Sequence, residues 1–221
     1  MPNRIIDEMI RYRRFRKGER STYVRLRVLD GLGVWNGRNG RILRRAHSLL
    51  FVCFGNIIRS PMCEALMKRA VAGHPHAHVT VTSAGLHATA GKAAHPWAIT
   101  AAQELGLSLK EHGARELTSE MMDQADAVFA MDYQNRVELL SRYPQAKSKI
   151  LMLGGYGGNE CSSLEIRDPY DGDQQEVRRC YQLLQVCVTK IACTMLQLSQ
   201  HDATPYQVKT TADAGAERDC C

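Results

Sequence analysis

Cys53 and Arg59 stand six positions apart in the stretch LLFVCFGNIIRSPMCEAL. The apolar run at residues 49–52 reads as a short buried strand. Phe54, Gly55, Asn56, Ile57 and Ile58 follow as a loop. Ser60 and Pro61 make an N-cap and first-turn pair for a helix reaching about residue 72. A tight loop between a strand and a helix start turns backbone N–H groups and the positive helix end toward one point, which suits a phosphate dianion. Arg59 can grip two of its oxygens with a planar fork. The same field favours the thiolate form of Cys53. A thiolate beneath a bound phosphoryl group is a nucleophile aimed at phosphorus. The plainer alternative is a buried strand-end cysteine followed by a surface arginine. The strand before, the helix start after and Gly55-Asn56 between them weigh against it.

Breaking a phosphate ester at neutral pH also needs a proton for the departing oxygen. Asp168, in IRDPYDGD, is the candidate acid, with Pro169 stiffening its turn. Tyr170 would then line the cleft and flank an aromatic ring. Asp171 and Asp173 read as loop charges.

With these residues in view, the chain resembles the low-molecular-weight protein tyrosine phosphatases. VCFGNIIRSP is similar to that family's signature, and the likeness runs from about residue 48 to about residue 199. It takes in TSAG at 82–85, EHGARELT with His112 and Arg115, MDYQN at 131–135 and DPYDGD at 168–173. The resemblance implies hydrolysis of phosphotyrosine through a cysteinyl-phosphate, with no metal or other cofactor. Cys53 would be the nucleophile. Arg59 and the loop from Phe54 through Gly55, Asn56, Ile57 and Ile58 to Ser60 would hold the phosphate. Asp168 would act as acid and then as base. Supporting roles carried over are Asn56 in a strained loop conformation, the Ser60 hydroxyl on the thiolate, and His112 backing Asn56. Glu64 and Asp132 are expected as partners of His112, with Ser83 in the same network. The implied partner is a phosphotyrosine protein, for instance a bacterial tyrosine kinase.

The chain departs from the family pattern in ways that matter. Many members carry a second cysteine just before the arginine, and here that position is Ile58. Cys63, on the following helix, is not expected to replace it, so peroxide inactivation should reverse poorly with thiols. Asp171 stands where some eukaryotic members have a second tyrosine. An arsenate reductase on the same scaffold would need two relaying cysteines, and residues 66–160 contain none. A phosphoarginine hydrolase would resemble a branch with threonine at the position of Ile57, whose apolar side chain instead favours a flat phenol ring. A non-catalytic phosphate-binding module is the alternative from another class, and intact Cys53, Arg59 and Asp168 argue against it.

The elements that must position these groups follow from His47 onward as alternating strands and helices. Strands are expected at LLFV, at HVTVTSAG, at 127–131 and at 149–153. Helices are expected at 61–72, 96–105, from 119, at 133–142 and at 176–199. That alternation implies a three-layer α/β fold, a four-stranded parallel sheet with helices on both faces, and functional groups at the C-terminal strand ends. The 221 residues suffice for one sizeable domain. It is expected at 47–200, between an extension at 1–46 and a tail at 201–221. The extension holds 13 Lys/Arg against four Asp/Glu, a net of +9, whereas the rest of the chain nets −3. Its apolar residues Ile5, Ile6, Met9 and Ile10 have helical spacing. Gly31, Gly33, Gly37 and Gly40 read as loop. The basic arm could meet an anionic surface, with Phe15 and Trp35 assisting. No dedicated nucleic-acid site is evident. No run approaches the length of a membrane span, and no secretory signal pattern opens the chain. The eight cysteines show no framework spacing and read as reduced thiols of a cytoplasmic protein. Cys180, Cys187 and Cys193 read as core packing, and Cys220 and Cys221 as part of the tail.

Overall fold

Leu49, Phe51 and Cys53 turn one way from β1 (Ser48–Cys53), and Leu50 and Val52 turn the other. Both sets are buried, so this strand must be covered on two faces. The computed structural model describes Phe15 and residues 17–32, 40–72, 74, 78–161 and 163–196. In it β1 lies at the centre of a parallel sheet with β2 (Thr80–Gly85), β3 (Ala127–Ala130) and β4 (Ile150–Met152), in the order β2-β1-β3-β4. Cys53 sits opposite Gly85, and Val52 opposite Ala130, so the strand ends that carry chemistry lie side by side.

Parallel neighbours need crossovers, and helices supply them. One face of the sheet is covered by α3 (Arg59–Ala72), α4 (Pro96–Glu104) and the long α7 (Gln174–Leu196), with Leu43 of α2 (Gly40–Leu43) added to that core. The other face is covered by α1 (Lys17–Gly31), α5 (Ser119–Gln124) and α6 (Tyr133–Arg142). Several of these helices start on caps the residue types foretell. The ring of His95 accepts from the Trp97 N–H ahead of Pro96 in α4, and Thr118 accepts from Met121 N–H at 3.3 Å at the start of α5. Asp132 accepts from Asn135 N–H at 2.7 Å for α6, and Asp173 from Glu176 N–H at 2.8 Å for α7. Asp173 is thus a helix cap and more than a loop charge.

Two expectations need correction. Gly31 and Gly40 are helical, the first ending α1 and the second opening α2. Phe15 is buried against Tyr23, with ring centroids 4.7 Å apart, and cannot reach out to a surface. Together with Leu26 these rings join the core beneath α6. The part of the extension that is described therefore packs onto the sheet domain. The helical spacing at residues 5–10, Trp35 and the tail at 201–221 lie outside the described residues. Among the described residues no helix is long and apolar enough to cross a membrane.

Candidate active site

β1 ends at Cys53 and the chain turns at once into a loop that must come back to start α3. Asn56 takes a left-handed backbone conformation, φ +54°, to make that turn. Asparagine tolerates this region better than most residues, but it still costs energy and needs holding. The side chain does the holding. Asn56 Nδ2 donates to Ser60 Oγ at 2.8 Å and to Ser83 Oγ at 2.9 Å, and its Oδ1 accepts from Arg115 N–H at 2.8 Å. His112 Nε2 meets the Asn56 carbonyl at 2.7 Å. Ser83 in turn donates to Glu64 Oε2 at 2.6 Å, which also receives Arg115 Nη2 at 2.6 Å.

The loop rests directly on β2. A Cβ at Gly85 would lie 2.8 Å from both Asn56 N and Phe54 O, so only glycine leaves room for the loop to pass. Further ties reach the loop carbonyls. His87 N–H donates to Phe54 at 2.8 Å, His95 N–H to Ile57 at 3.0 Å, and the Tyr181 hydroxyl of α7 to Ile58 at 3.0 Å.

The sulfur of Cys53 lies 3.0 Å from Ser60 Oγ and accepts from Asn56 N–H at 3.2 Å. The Ser60 hydroxyl also reaches the Ala84 carbonyl at 3.2 Å. Ser60 is therefore no helix cap. α3 begins at Arg59, and the Ser60 hydroxyl faces the cysteine. Arg59 is buried, with Nη1 donating to Asp132 Oδ2 at 2.6 Å and to the Ile166 carbonyl at 3.0 Å. Its Nη2 pairs with Asp168. Burial by itself would lower the Arg59 pKa, but Asp132, then Asp168 and Cys53, outweigh it and the net shift is upward. The guanidinium stays charged. Burial pushes the neighbouring Cys63 thiol well up and Cys180 to about 12, so both remain protonated at neutral pH.

Cys53, Phe54, Gly55, Ile57, Ile58, Arg59, Asp132, Asp168 and Tyr170 line one cleft of about 360 Å³. Tyr170 and Phe54 are half-exposed at its rim. Asn56, Ser60, Glu64, Ser83 and His112 form the bonded network behind the loop. Two expected pairings are different. Glu64 binds Ser83, Arg115 and Lys68, and Asp132 binds Arg59 and caps α6, where both had been expected on His112. The Lys68 pair and the α6 cap are local, but Ser83, Arg115 and Arg59 come from other segments of the chain, and sequence spacing does not encode those partners. Arg115 was quoted within its motif without a role, yet it serves the network twice. His87, Lys92 and Asp171 also reach the cleft, and no spacing signal singled out the first two. Among the described residues no group of His, Cys, Asp or Glu is arranged to hold a metal ion.

Residues 48–201 match the model of the low molecular weight phosphotyrosine protein phosphatase family. The low molecular weight protein-tyrosine-phosphatase Wzb of Escherichia coli K12 is 37% identical over 139 residues, which is 63% of this chain and 88% of that protein. The crystal structure of the tyrosine phosphatase Wzb from Escherichia coli K30 in complex with sulphate superposes with a TM-score of 0.59 at 33% identity, covering 66% of this chain and 96% of that one. The YwlE arginine phosphatase from Geobacillus stearothermophilus gives 0.61 at 30% identity, covering 68% and 94%. A family match spanning most of the chain, centred on the loop whose bonds are described above, is sufficient: the chain belongs to the low molecular weight phosphotyrosine protein phosphatase family.

Proposed function

We propose that this enzyme hydrolyses phosphotyrosine in protein substrates by two displacements at phosphorus. The observation that carries this reading is that the Cys53 sulfur, the Arg59 guanidinium and the Asp168 carboxyl open onto one cleft. The Cys53 thiolate, held by the Ser60 hydroxyl and the Asn56 N–H, attacks phosphorus in line. The S–P bond forms as the P–O bond to the phenol breaks, and protonated Asp168 delivers its proton to the leaving oxygen. Arg59 and the loop amides hold the three equatorial oxygens as charge moves across them. Water then attacks the cysteinyl-phosphate, Asp168 takes its proton, and the thiolate is released. Ile57 in the cleft wall, with Tyr170 and Phe54 at the rim, suits a flat phenol ring between apolar surfaces.

A bacterial tyrosine kinase is the proposed class of partner, and the cytoplasm the proposed compartment. The basic residues before residue 47 are proposed to meet an anionic surface. In α1, Val24 and Val28 are exposed alongside Arg25, as is Leu32 just after it. A second reading, phosphoarginine hydrolysis, is favoured by one feature: Asp171 shares the cleft with Asp168, where a cationic leaving group would sit. A panel of phosphotyrosine, phosphoserine and phosphoarginine peptides separates the readings. Phosphotyrosine should turn over fastest, Cys53→Ser should abolish turnover, and Asp168→Asn should slow it by roughly 10²–10⁴-fold. Faster release from phosphoarginine would favour the second reading, and activity surviving Cys53→Ser would remove both.

A further inference from the structure

The hydrolytic machinery leaves one pair of side chains unused. Cys161 follows the short turn Gly158–Glu160, and Cys187 lies midway along α7. Both are free thiols, and their sulfurs are 3.7 Å apart. Cys187 is fully buried, whereas Cys161 is half-buried and lies on the solvent side of it. The backbone makes room for this contact: a Cβ at Gly157 would collide with the Cys161 sulfur and press on that of Cys187. Lys190, one turn along α7, donates to the Gly157 carbonyl at 2.8 Å and to Glu160 Oε2 at 2.6 Å. It pins the turn to the helix and sets a positive charge beside the pair.

We propose that Cys161 and Cys187 form a peroxide-responsive dithiol that closes to a reversible disulfide, tying the turn ahead of the Asp168 loop to α7 independently of Cys53. This goes beyond the phosphatase reading and does not depend on it. The electrostatics assign the roles. The hydrogen-bonding contact with Cys187, helped by Lys190 against burial, brings the Cys161 thiol down to about 7. The same contact and burial push Cys187 up. Cys161 is thus the attacking thiolate and Cys187 the thiol that resolves it. The Cys161 thiolate attacks one oxygen of hydrogen peroxide. An S–O bond forms, the O–O bond breaks, and hydroxide leaves. The Cys187 sulfur then attacks the Cys161 sulfenic acid. The S–S bond forms as the S–O bond breaks, and the Cys187 proton departs with that oxygen as water. The two sulfurs lose the two electrons that peroxide gains. A dithiol reductant reverses the closure by exchange. A disulfide holds its sulfurs roughly 2.05 Å apart, which side-chain rotation and a small approach of the turn can supply from van der Waals contact.

Closure has a structural consequence. From Cys161 the chain runs to Ile166, whose N–H is bonded to the Met131 carbonyl at 2.7 Å and whose carbonyl holds Arg59, and then to Asp168. Fixing residue 161 to α7 shortens the free length of that segment.

The test uses the full chain carrying Cys53→Ser, so that the catalytic thiol takes no part. Treated with hydrogen peroxide and mapped under non-reducing conditions, it should lose two thiols and yield one cross-linked peptide pair containing Cys161 and Cys187. Dithiothreitol should restore both. The rate should rise with pH and level off above about 7. Amide exchange at residues 157–161 should slow several-fold after oxidation. Adding Cys161→Ala, a change at a half-exposed site, should leave Cys187 unreacted. Adding Cys187→Ala instead should leave Cys161 as a sulfenic acid that dimedone traps. The proposal is overturned if, with both thiols present, Cys161 ends as a sulfinic acid, as a dimedone adduct, or paired with Cys220 or Cys221.

Discussion

Arg59 has two claimants for one edge of its fork. Nη2 is paired with Asp168, while the proposed chemistry needs the guanidinium on the phosphate. An incoming dianion must displace that carboxylate, and it is also repelled by it. Asp168→Asn should therefore bind inorganic phosphate about tenfold more tightly, a difference of about 1.4 kcal/mol, while turning over more slowly. Competitive inhibition by phosphate reads the first effect, and an inhibition constant that rises would count against the competition. The surroundings of Cys53 lead to a second expectation at this scale. With Ile58 where many relatives have cysteine, the thiols nearest to hand are Cys63 and Cys180, and burial keeps both protonated. The contacts of the Cys53 sulfur are Ser60 Oγ and Asn56 N–H, not a second sulfur of the kind Cys187 offers Cys161, so neither should capture an oxidised Cys53 quickly. Without a resolving thiol Cys53 should pass on to the sulfinic acid, so activity lost to excess peroxide should stay lost after dithiothreitol, and full recovery would count against this. The reacting residues were legible because Cys53, Arg59 and Asp168 sit in short motifs whose residue types carry the chemistry. The partners of Glu64 and Asp132 were not, since a carboxylate's type does not say which of several nearby donors will reach it.

At the scale of elements, the strands announced themselves as short apolar runs bounded by loops, and most helices as the segments between them, although the caps Thr118 and Asp132 were not singled out and the expected cap Ser60 faces Cys53 instead. The helix α1 did not. Its sequence KGERSTYVRLRVLDG carries six charges in fifteen residues, ends in glycine, and buries only Tyr23 and Leu26 to 8% exposure or less. Its placement depends on groups more than a hundred positions away, such as the Tyr133 hydroxyl donating to Asp30 Oδ2 at 2.6 Å. Tyr23 stacks near Phe15 and meets the Tyr133 ring edge-on at 6.1 Å. Tyr23→Ala should then lower unfolding stability by about 3 kcal/mol, as deletion of a buried aromatic does. A change within a few tenths of a kcal/mol, read from urea unfolding, would mean α1 is not part of the folded unit. The cap of α4 gives a pH-dependent counterpart. Burial, with Lys92 adding to it, lowers the His95 pKa below its ordinary 6.5. The unfolded chain therefore binds this proton more readily than the folded one. Its contribution is complete above about pH 6.5 and falls as pH drops through the ordinary histidine range toward the lower folded value. Protonation also removes the lone pair that accepts from Trp97 N–H. His95→Asn supplies an acceptor that does not titrate, so the loss of stability in that window should shrink. Unchanged urea midpoints from about pH 7 to about pH 5, relative to wild type, would show that the cap is not what titrates.

Over the whole molecule, the anion cup is a product of global packing. β2 supports it through Gly85, α4 through His95 N–H on Ile57, and α7 through Tyr181 on Ile58, 123 positions along the chain. The buried charges are distributed likewise, because Arg59 from one crossover is neutralised by Asp132 and Asp168 from two others. A site assembled from so many elements cannot survive unfolding of any of them, so anion binding and folding must be linked. Phosphate at about 100 times its dissociation constant should raise the unfolding free energy by about 2.7 kcal/mol, since it binds only the folded chain. Cys53→Ser keeps the loop amides and Arg59 and should show the same gain, although it lacks the nucleophile. Arg59→Ala should show none, and should itself cost about 3–5 kcal/mol by leaving Asp132 partly buried beside a lost cation. The two effects are separable by unfolding each variant in urea with and without phosphate. Stabilisation of Arg59→Ala by phosphate equal to that of wild type would place the anion somewhere other than this cup.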